Sequence, residues 1–183
     1  LLASHLAGAV RRGLEPGYKH DQILIFCGDQ GKGKSEAIKS LATPSWYDSA
    51  TRVEDLEAKD FLSKVNSCWL FEVEECEHAL LKRTASEFKS FVTRTNDCYV
   101  EKYEKEAKTH NRRSVLFGTT NQTEFLNDNT GNRRAWVIYT GDRALAPEWI
   151  AQCRDSIWAT VLTWIDWGLR NYVSAGDPLC QQS

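Results

Sequence analysis

The chain has 183 residues, of which 42% are hydrophobic and 11% aromatic, and a net charge of −2. That length suits one domain, and the seven tryptophans exclude a disordered chain. No apolar run approaches the roughly 20 residues of a membrane helix, no signal-peptide pattern opens the chain, and the near-neutral charge excludes a surface that attracts polyanions everywhere.

Residues 1–13 read as a helix, with "EPG" as its stop. "QILIFCG" (22–28) is a short apolar run ending in glycine, the pattern of a buried strand. "GKSEAIKSLA" (33–42) opens a helix, and "VEDLEAKDFLSKV" (53–65) spaces Val53, Leu56, Phe61, Leu62 and Val65 as a second helix does. "SCWLFEVEE" (67–75) predicts another buried strand running into acids, and "ALLKRTASEFKSFVT" (79–93) predicts a helix. Residues 97–121 predict a strand, a charged tip and a third apolar strand. "RRAWVIYT" (133–140) predicts a fourth strand, and a long amphipathic helix follows over 147–172, started by Pro147. Strands alternating with helices predict an α/β fold with a mainly parallel central sheet flanked by helices, one domain over 1–183. The chain lacks methionine and starts inside a helical pattern, so it is expected to be a fragment of a longer protein. Its six cysteines show no CxxC pair and its four histidines no zinc spacing, so reduced thiols in the cytoplasm are expected.

"GDQGKGKS" fits G-x-x-x-x-G-K-[ST] from Gly28 to Ser35, with a strand before it and a helix after it. A polyphosphate needs backbone N–H groups closing around it, and glycine lets the backbone turn tightly and approach closely. Gly28, Asp29, Gln30, Gly31, Lys32, Gly33, Lys34, Ser35 and Glu36 are therefore the expected nucleotide-binding residues of a P-loop NTPase. Lys34 would reach the β- and γ-phosphates, and Ser35 would ligate Mg²⁺. ATP and Mg²⁺ are the expected substrate and cofactor.

Such a site also needs acids on a neighbouring strand. "FEVEE" supplies them: Glu72 is expected on the metal side, and Glu74 or Glu75 is expected to orient the attacking water. Period two sends Glu72 and Glu74 to the same side of their strand. At the end of the third apolar strand, Asn121 can hydrogen-bond a γ-phosphate or a water without adding charge. Arg133 and Arg134 stand together between a loop and a strand, where an arginine can enter a neighbouring subunit's site.

Residues 82–113 hold nine Lys or Arg against five Asp or Glu, a local +4 that leaves −6 elsewhere. Such a segment suits a nucleic-acid contact, with Lys102, Lys105, Lys108, His110, Arg112 and Arg113 as its candidates.

Taken in order, "EPGYK" (15–19), "GDQGKGKS", "FEVEE", "EFKSFVTRTNDCYVEKY" (87–103), "NRRSVLFGTTNQTEFLNDNTGNRRAWVI" (111–138) and "RDSIWA" (154–159) resemble the virulence-associated protein E family. These are phage- and plasmid-type helicase domains of AAA+-like superfamily 3 type. The resemblance covers roughly residues 10–160, and "TTN…FL.D.TGNRR.W" is its most specific part. It implies an ATP-dependent helicase motor on single-stranded DNA in phage, plasmid or mobile-element replication. It further implies a homo-oligomeric ring, a hexamer, often attached to a primase. By the same resemblance Lys34 and Ser35 match the Walker A pair, Glu72 and Glu75 the two Walker B acids, and Asn121 the sensor asparagine. Arg133 and Arg134 match the arginine finger. Where the family carries an arginine shortly after its D-x-Y-like element, this chain has Val100 and Glu101. A nucleotide-driven switch or assembly ATPase without unwinding is the alternative, and a small-molecule kinase is disfavoured because no arginine-rich lid follows.

Overall fold

The computed structural model describes residues 1–51, 55–81, 85–123 and 132–172. Helix α1 (Leu2–Leu14) leads to strand β1 (Ile23–Cys27) and helix α2 (Lys34–Leu41). A short 3-10 turn then enters β2 (Tyr47–Thr51), followed by α3 (Lys59–Ser67) and β3 (Leu70–Glu74). After α4 (Glu77–Leu81) and α5 (Ala85–Val92) come β4 (Asn96–Val100) and β5 (Ala107–Asn111). Strands β6 (Val115–Thr120) and β7 (Ala135–Tyr139) precede α6 (Pro147–Asp166).

Five strands form a parallel sheet in the order β2-β3-β6-β1-β7. Strand β6 therefore lies between β1, which carries the glycine-rich loop, and β3, which carries the acids. The parallel direction brings the C-terminal ends of all five strands to one edge of the sheet, where ligands of open α/β sheets bind. The two faces are apolar and both are covered, which explains the continuous apolar runs of β1 and β6. On one face Leu24, Phe26, Leu70, Val115 and Phe117 pack under α1, α2 and α6. On the other, Ile23, Ile25, Phe71, Val73 and Leu116 pack under α3, α4 and α5. Strands β4 and β5 form a separate antiparallel hairpin.

Four elements depart from the sequence pattern. Strand β2, "YDSAT", carries no apolar run because it is an edge strand, and period and propensity do not disclose it. The second predicted helix begins at Lys59, since Asp55 folds a turn of its own: its side chain accepts from the Glu57 N–H and its carbonyl from the Ala58 N–H. The last helix stops at Asp166, two residues before Gly168 at φ 96°. The charged stretch after β4 returns as β5 before the third apolar strand. The middle of the predicted helix 79–93, and the "EFLNDNTG" part (124–131) of the segment 111–138, lie outside the described residues.

The N-terminal edge of the sheet is tied by the buried guanidinium of Arg12. Arg12 donates Nε to the Tyr18 carbonyl, one terminal nitrogen to the Ser114 carbonyl and the other to those of His20 and Arg94. It joins α1 to the strand connections without any carboxylate in these bonds. Beside it, His20 Nε2 lies 2.9 Å from His5 Nδ1. The His20 ring fills the space over Gly8, where a Cβ would come within 2.4 Å of it.

Burial keeps this histidine pair neutral. It pushes His5 well below the ordinary imidazole value, with the charges of His20 and Arg12 adding to the effect. It takes His20 down to about 3, with Arg12 adding again. The unfolded chain binds these protons near pH 6.5, while the folded chain resists until far lower pH, so stability present above about 6.5 is lost on acidification toward about 3. The expected slope approaches about 1.4 kcal/mol per pH unit for each histidine. Urea midpoints at about pH 7.5 and about pH 5 should differ accordingly, and His20→Gln should shrink the difference; equal midpoints for the parent would remove this account.

Candidate functional site

The loop between β1 and α2 turns on Gly33, which caps α2 at φ 75°, a conformation that favours glycine. Helix α2 thereby points its N-terminus into an open cleft of about 330 Å³. The cleft is lined by residues 30–36 of the loop and the first turn of α2, by Glu74 and Glu75 at the end of β3, and by Thr119, Thr120 and Asn121 at the end of β6. The β7–α6 connection clasps the loop from outside: Leu145 N–H donates to the Lys32 carbonyl at 2.9 Å, and Lys32 Nζ donates to the Asp142 carbonyl at 2.8 Å. No sequence signal marks that clasp.

Lys34 is buried, and its ammonium donates to the carbonyls of Gly28 (2.6 Å) and Asp29 (2.8 Å) and to Asn121 Oδ1 (2.8 Å). Burial lowers its pKa below that of an ordinary lysine, while Cys27, Asp29, Glu72 and Glu77 pull it back up. The strands thus bring Lys34 and Asn121, 87 residues apart, into one hydrogen bond.

Glu72 is fully buried, and both its oxygens are engaged. Ser35 Oγ and Thr119 Oγ1 each donate to Oε1 at 2.7 Å, and Tyr47 OH donates to Oε2 at 2.6 Å. Glu74 accepts from Ser49 Oγ (2.8 Å) and Thr51 Oγ1 (2.6 Å). Glu75 opens the turn after β3 at φ 49°, unusual for a residue with a side chain, and lies 3.6 Å from His78 Nε2. Tyr47, Thr119 and Glu77 are site residues that the sequence reading did not single out. Glu77 is a buried acid whose charge is felt at Lys34.

The donor set fits Mg²⁺. Among the described residues no group of three or more His, Cys, Asp or Glu is placed to hold a metal. Mg²⁺ asks for less: hard oxygens from one or two side chains, with phosphates and water completing the shell. The adjoining Ser35 hydroxyl and Glu72 carboxylate provide such oxygens.

The remaining candidates lie at the other edge of the sheet. Arg133 and Arg134 form a 3-10 turn just before β7, and Ala135 pairs with Ile23 at the start of β1. A strand of five residues, ~17 Å, separates them from this chain's own glycine-rich loop. Arg133 is exposed, and Arg134 is half-buried in a small cavity beside Phe88 and Val92.

The β4–β5 hairpin rises from that same edge. Lys102 and Lys105 are exposed, and Lys102 Nζ lies 5.3 Å from the ring centre of Tyr103, itself 92% exposed at the tip. Lys108 pairs with Glu104 at 2.6 Å, His110 stacks on Tyr99 with ring centres 4.3 Å apart, and Arg113 is exposed. Arg112 corrects the sequence reading. It is fully buried, donating Nε to Asp97 Oδ2 at 2.9 Å, a terminal nitrogen to Asp97 Oδ1 and the other to the Phe91 carbonyl. It holds the base of the hairpin and has no surface to offer to DNA; a buried charge with a carboxylate partner is a structural tie.

The family model of the virulence-associated protein E-like domain matches residues 1–173. The chain belongs to this family. Its fold is also that of solved structures of the NrS-1 C-terminal region. An apo A form superposes with a TM-score of 0.62 at 14% identity, over 87% of this chain and 40% of that one. The A form of NrS-1 305–718 gives 0.57 at 14% identity, over 98% and 41%. A further apo structure of the 305–718 region gives 0.56 at 13%, over 97% and 42%. This virulence-associated protein E-like chain thus spans about two fifths of those chains. No curated protein sequence matches it significantly. No described helix is long and apolar enough to cross a membrane.

Proposed function

We propose that the chain is an ATP-hydrolysing motor domain that acts on single-stranded DNA in phage, plasmid or mobile-element replication. The observation that carries this reading is the pair of bonds Lys34–Asn121 and Ser35–Glu72, which unite the glycine-rich loop with the end of β6 and the middle of β3. Lys34, held among loop carbonyls, binds the β- and γ-phosphates; the loop N–H groups and the α2 N-terminus add positive potential. Ser35 and Glu72 would hold Mg²⁺, which when bound would supply charge against the phosphates. Asn121 faces the γ-phosphate, and Glu75 or Glu74, at the cleft wall, orients the attacking water. Lys34→Ala should abolish ATP turnover in a phosphate-release assay; a rate equal to the parent's would refute the site.

Arg133 and Arg134 cannot serve their own loop, since they sit at the opposite sheet edge. In a ring, a role in hydrolysis would be exercised on the neighbouring subunit's nucleotide. Specific activity should then rise with protein concentration, and Arg134→Ala mixed with Lys34→Ala should recover part of it. Turnover that stays constant on dilution to a strict monomer would exclude the trans arrangement.

Single-stranded DNA is the proposed partner of the hairpin, through Lys102, Lys105, Lys108 and Arg113, with His110 on the hairpin's flank. Each phosphate neutralised contributes about −0.7 to the slope of log affinity against log salt. Three contacts per subunit give a slope of about −2. Changing Lys105 and Lys108 together to alanine should flatten that slope in fluorescence anisotropy and lower DNA-stimulated ATPase. An unchanged slope would move the DNA site elsewhere, and no DNA binding at all would favour a nucleotide-driven switch that assembles or remodels a partner.

A further inference from the structure

Edge strand β2 pairs with β3 in parallel register, Tyr47 with Leu70, Ser49 with Glu72 and Thr51 with Glu74. Alternate residues share a face, so Tyr47, Ser49 and Thr51 stand on the side of the sheet where Glu72 and Glu74 stand. Ala50, between them, packs instead with the cluster of Phe71 and Val73. All three side chains on the first face end in a hydroxyl, and all three donate to the acids of β3: Tyr47 to Glu72, Ser49 and Thr51 to Glu74. Nothing in a sheet edge requires three hydroxyls on one face.

The Tyr47 bond does the most. The Glu72 carboxylate is fully buried, and its Oε1 already accepts hydrogen bonds from Ser35 and Thr119. Among the described residues, Tyr47 is the donor to Oε2, at 2.6 Å. With both oxygens engaged, the carboxylate has one orientation. Removing Tyr47's hydroxyl leaves a buried charged oxygen unmatched, and the group gains by rotating away from Ser35. A Ser35 hydroxyl whose proton is engaged on Glu72 keeps its lone pairs for a cation. Burial, followed by the bond to Glu72, raises the Tyr47 pKa above that of an ordinary tyrosine, so the phenol remains a donor over the working pH range.

We propose that Tyr47 is the positioning residue for Glu72, fixing the carboxylate so that Ser35 and Glu72 together present a preformed Mg²⁺ site, and that β2 sets this geometry from the sheet edge. The inference rests on the reading of the cleft as a Mg²⁺–nucleotide site. Its signature is metal dependence, which the packing of a tyrosine ring does not by itself govern.

The test uses the full chain and a fluorescent, non-hydrolysable ATP analogue, titrated with Mg²⁺ and, separately, in EDTA. Tyr47→Phe keeps the ring. It should raise the Mg²⁺ needed for half-maximal tightening about tenfold, the loss of one hydrogen bond to a charged group. Analogue affinity in EDTA should stay within about twofold, since the phosphate loop is untouched. In a Glu72→Gln background the same change should have no further effect on the Mg²⁺ requirement, because the charge it positions is gone. Tm is measured alongside. If Tyr47→Phe lowers it substantially, Tyr47→His, which restores a ring donor, should recover part of the Mg²⁺ response, and failure to recover it would overturn the proposal. A parental Mg²⁺ requirement in Tyr47→Phe, with the parent binding the analogue normally, would overturn the role of Tyr47 and leave the cleft reading intact. A parent that binds the analogue with no response to Mg²⁺ would overturn both.

Discussion

The site depends on one buried carboxylate. Glu72 has no exposure to water, and an ionised group in that position requires hydrogen bonds to both oxygens. The bonds come from Ser35 at the start of α2, Tyr47 on β2 and Thr119 on β6. A single side chain on β3 thereby locks three other elements to one point. The order β2-β3-β6-β1-β7 makes this feasible, because it puts β3 between the two strands that contribute hydroxyls and one strand away from the glycine-rich loop.

A second buried charge organises the opposite edge. Arg112 is held by Asp97 across the base of the β4–β5 hairpin and by the Phe91 carbonyl, with Phe91's ring 4.3 Å beneath the guanidinium. Asp97 also accepts from Asn66 on α3. Burial lowers the Arg112 pKa, and the bond to Asp97 raises it again. Arg12 repeats the device with carbonyl partners alone, at a pKa lowered to about 10 by burial first and the charge of Arg112 second. The hairpin is therefore rooted rigidly while its tip, with Lys102, Tyr103 and Lys105, stays in solvent. The parallel sheet places this hairpin and the arginines before β7 at one edge, and the glycine-rich loop with its acids at the other.

Much of this was legible in the sequence, for a stated reason in each case. Apolar runs marked β1, β3 and β6 because both faces of a covered parallel sheet are buried. The G-x-x-x-x-G-K-S spacing marked the loop because that geometry can be encoded in eight consecutive residues. Edge strand β2 escaped because "YDSAT" is half-exposed and its polar side chains serve partners that are distant in sequence. Arg112 looked like one of several hairpin cations, since its charge is visible in the sequence and its buried partner Asp97, fifteen residues away, is not assigned by pattern.

The sequence by itself determined the elements whose physics is local: the glycine turns, the helix begun at Pro147, the apolar strands, and the presence of lysine, serine, acids and asparagine at strand ends. Only the tertiary structure decided which of those side chains meet. That Lys34 bonds Asn121 and that Tyr47 bonds Glu72 follows from strand order and parallel register, and those are set by burying two sheet faces at once. The same packing decided which charges reach solvent. A lysine or arginine in a sequence is only a charge; whether it grips a partner or braces the fold depends on what the rest of the chain places around it, as Lys105 in solvent and Arg112 in the interior demonstrate within eight residues.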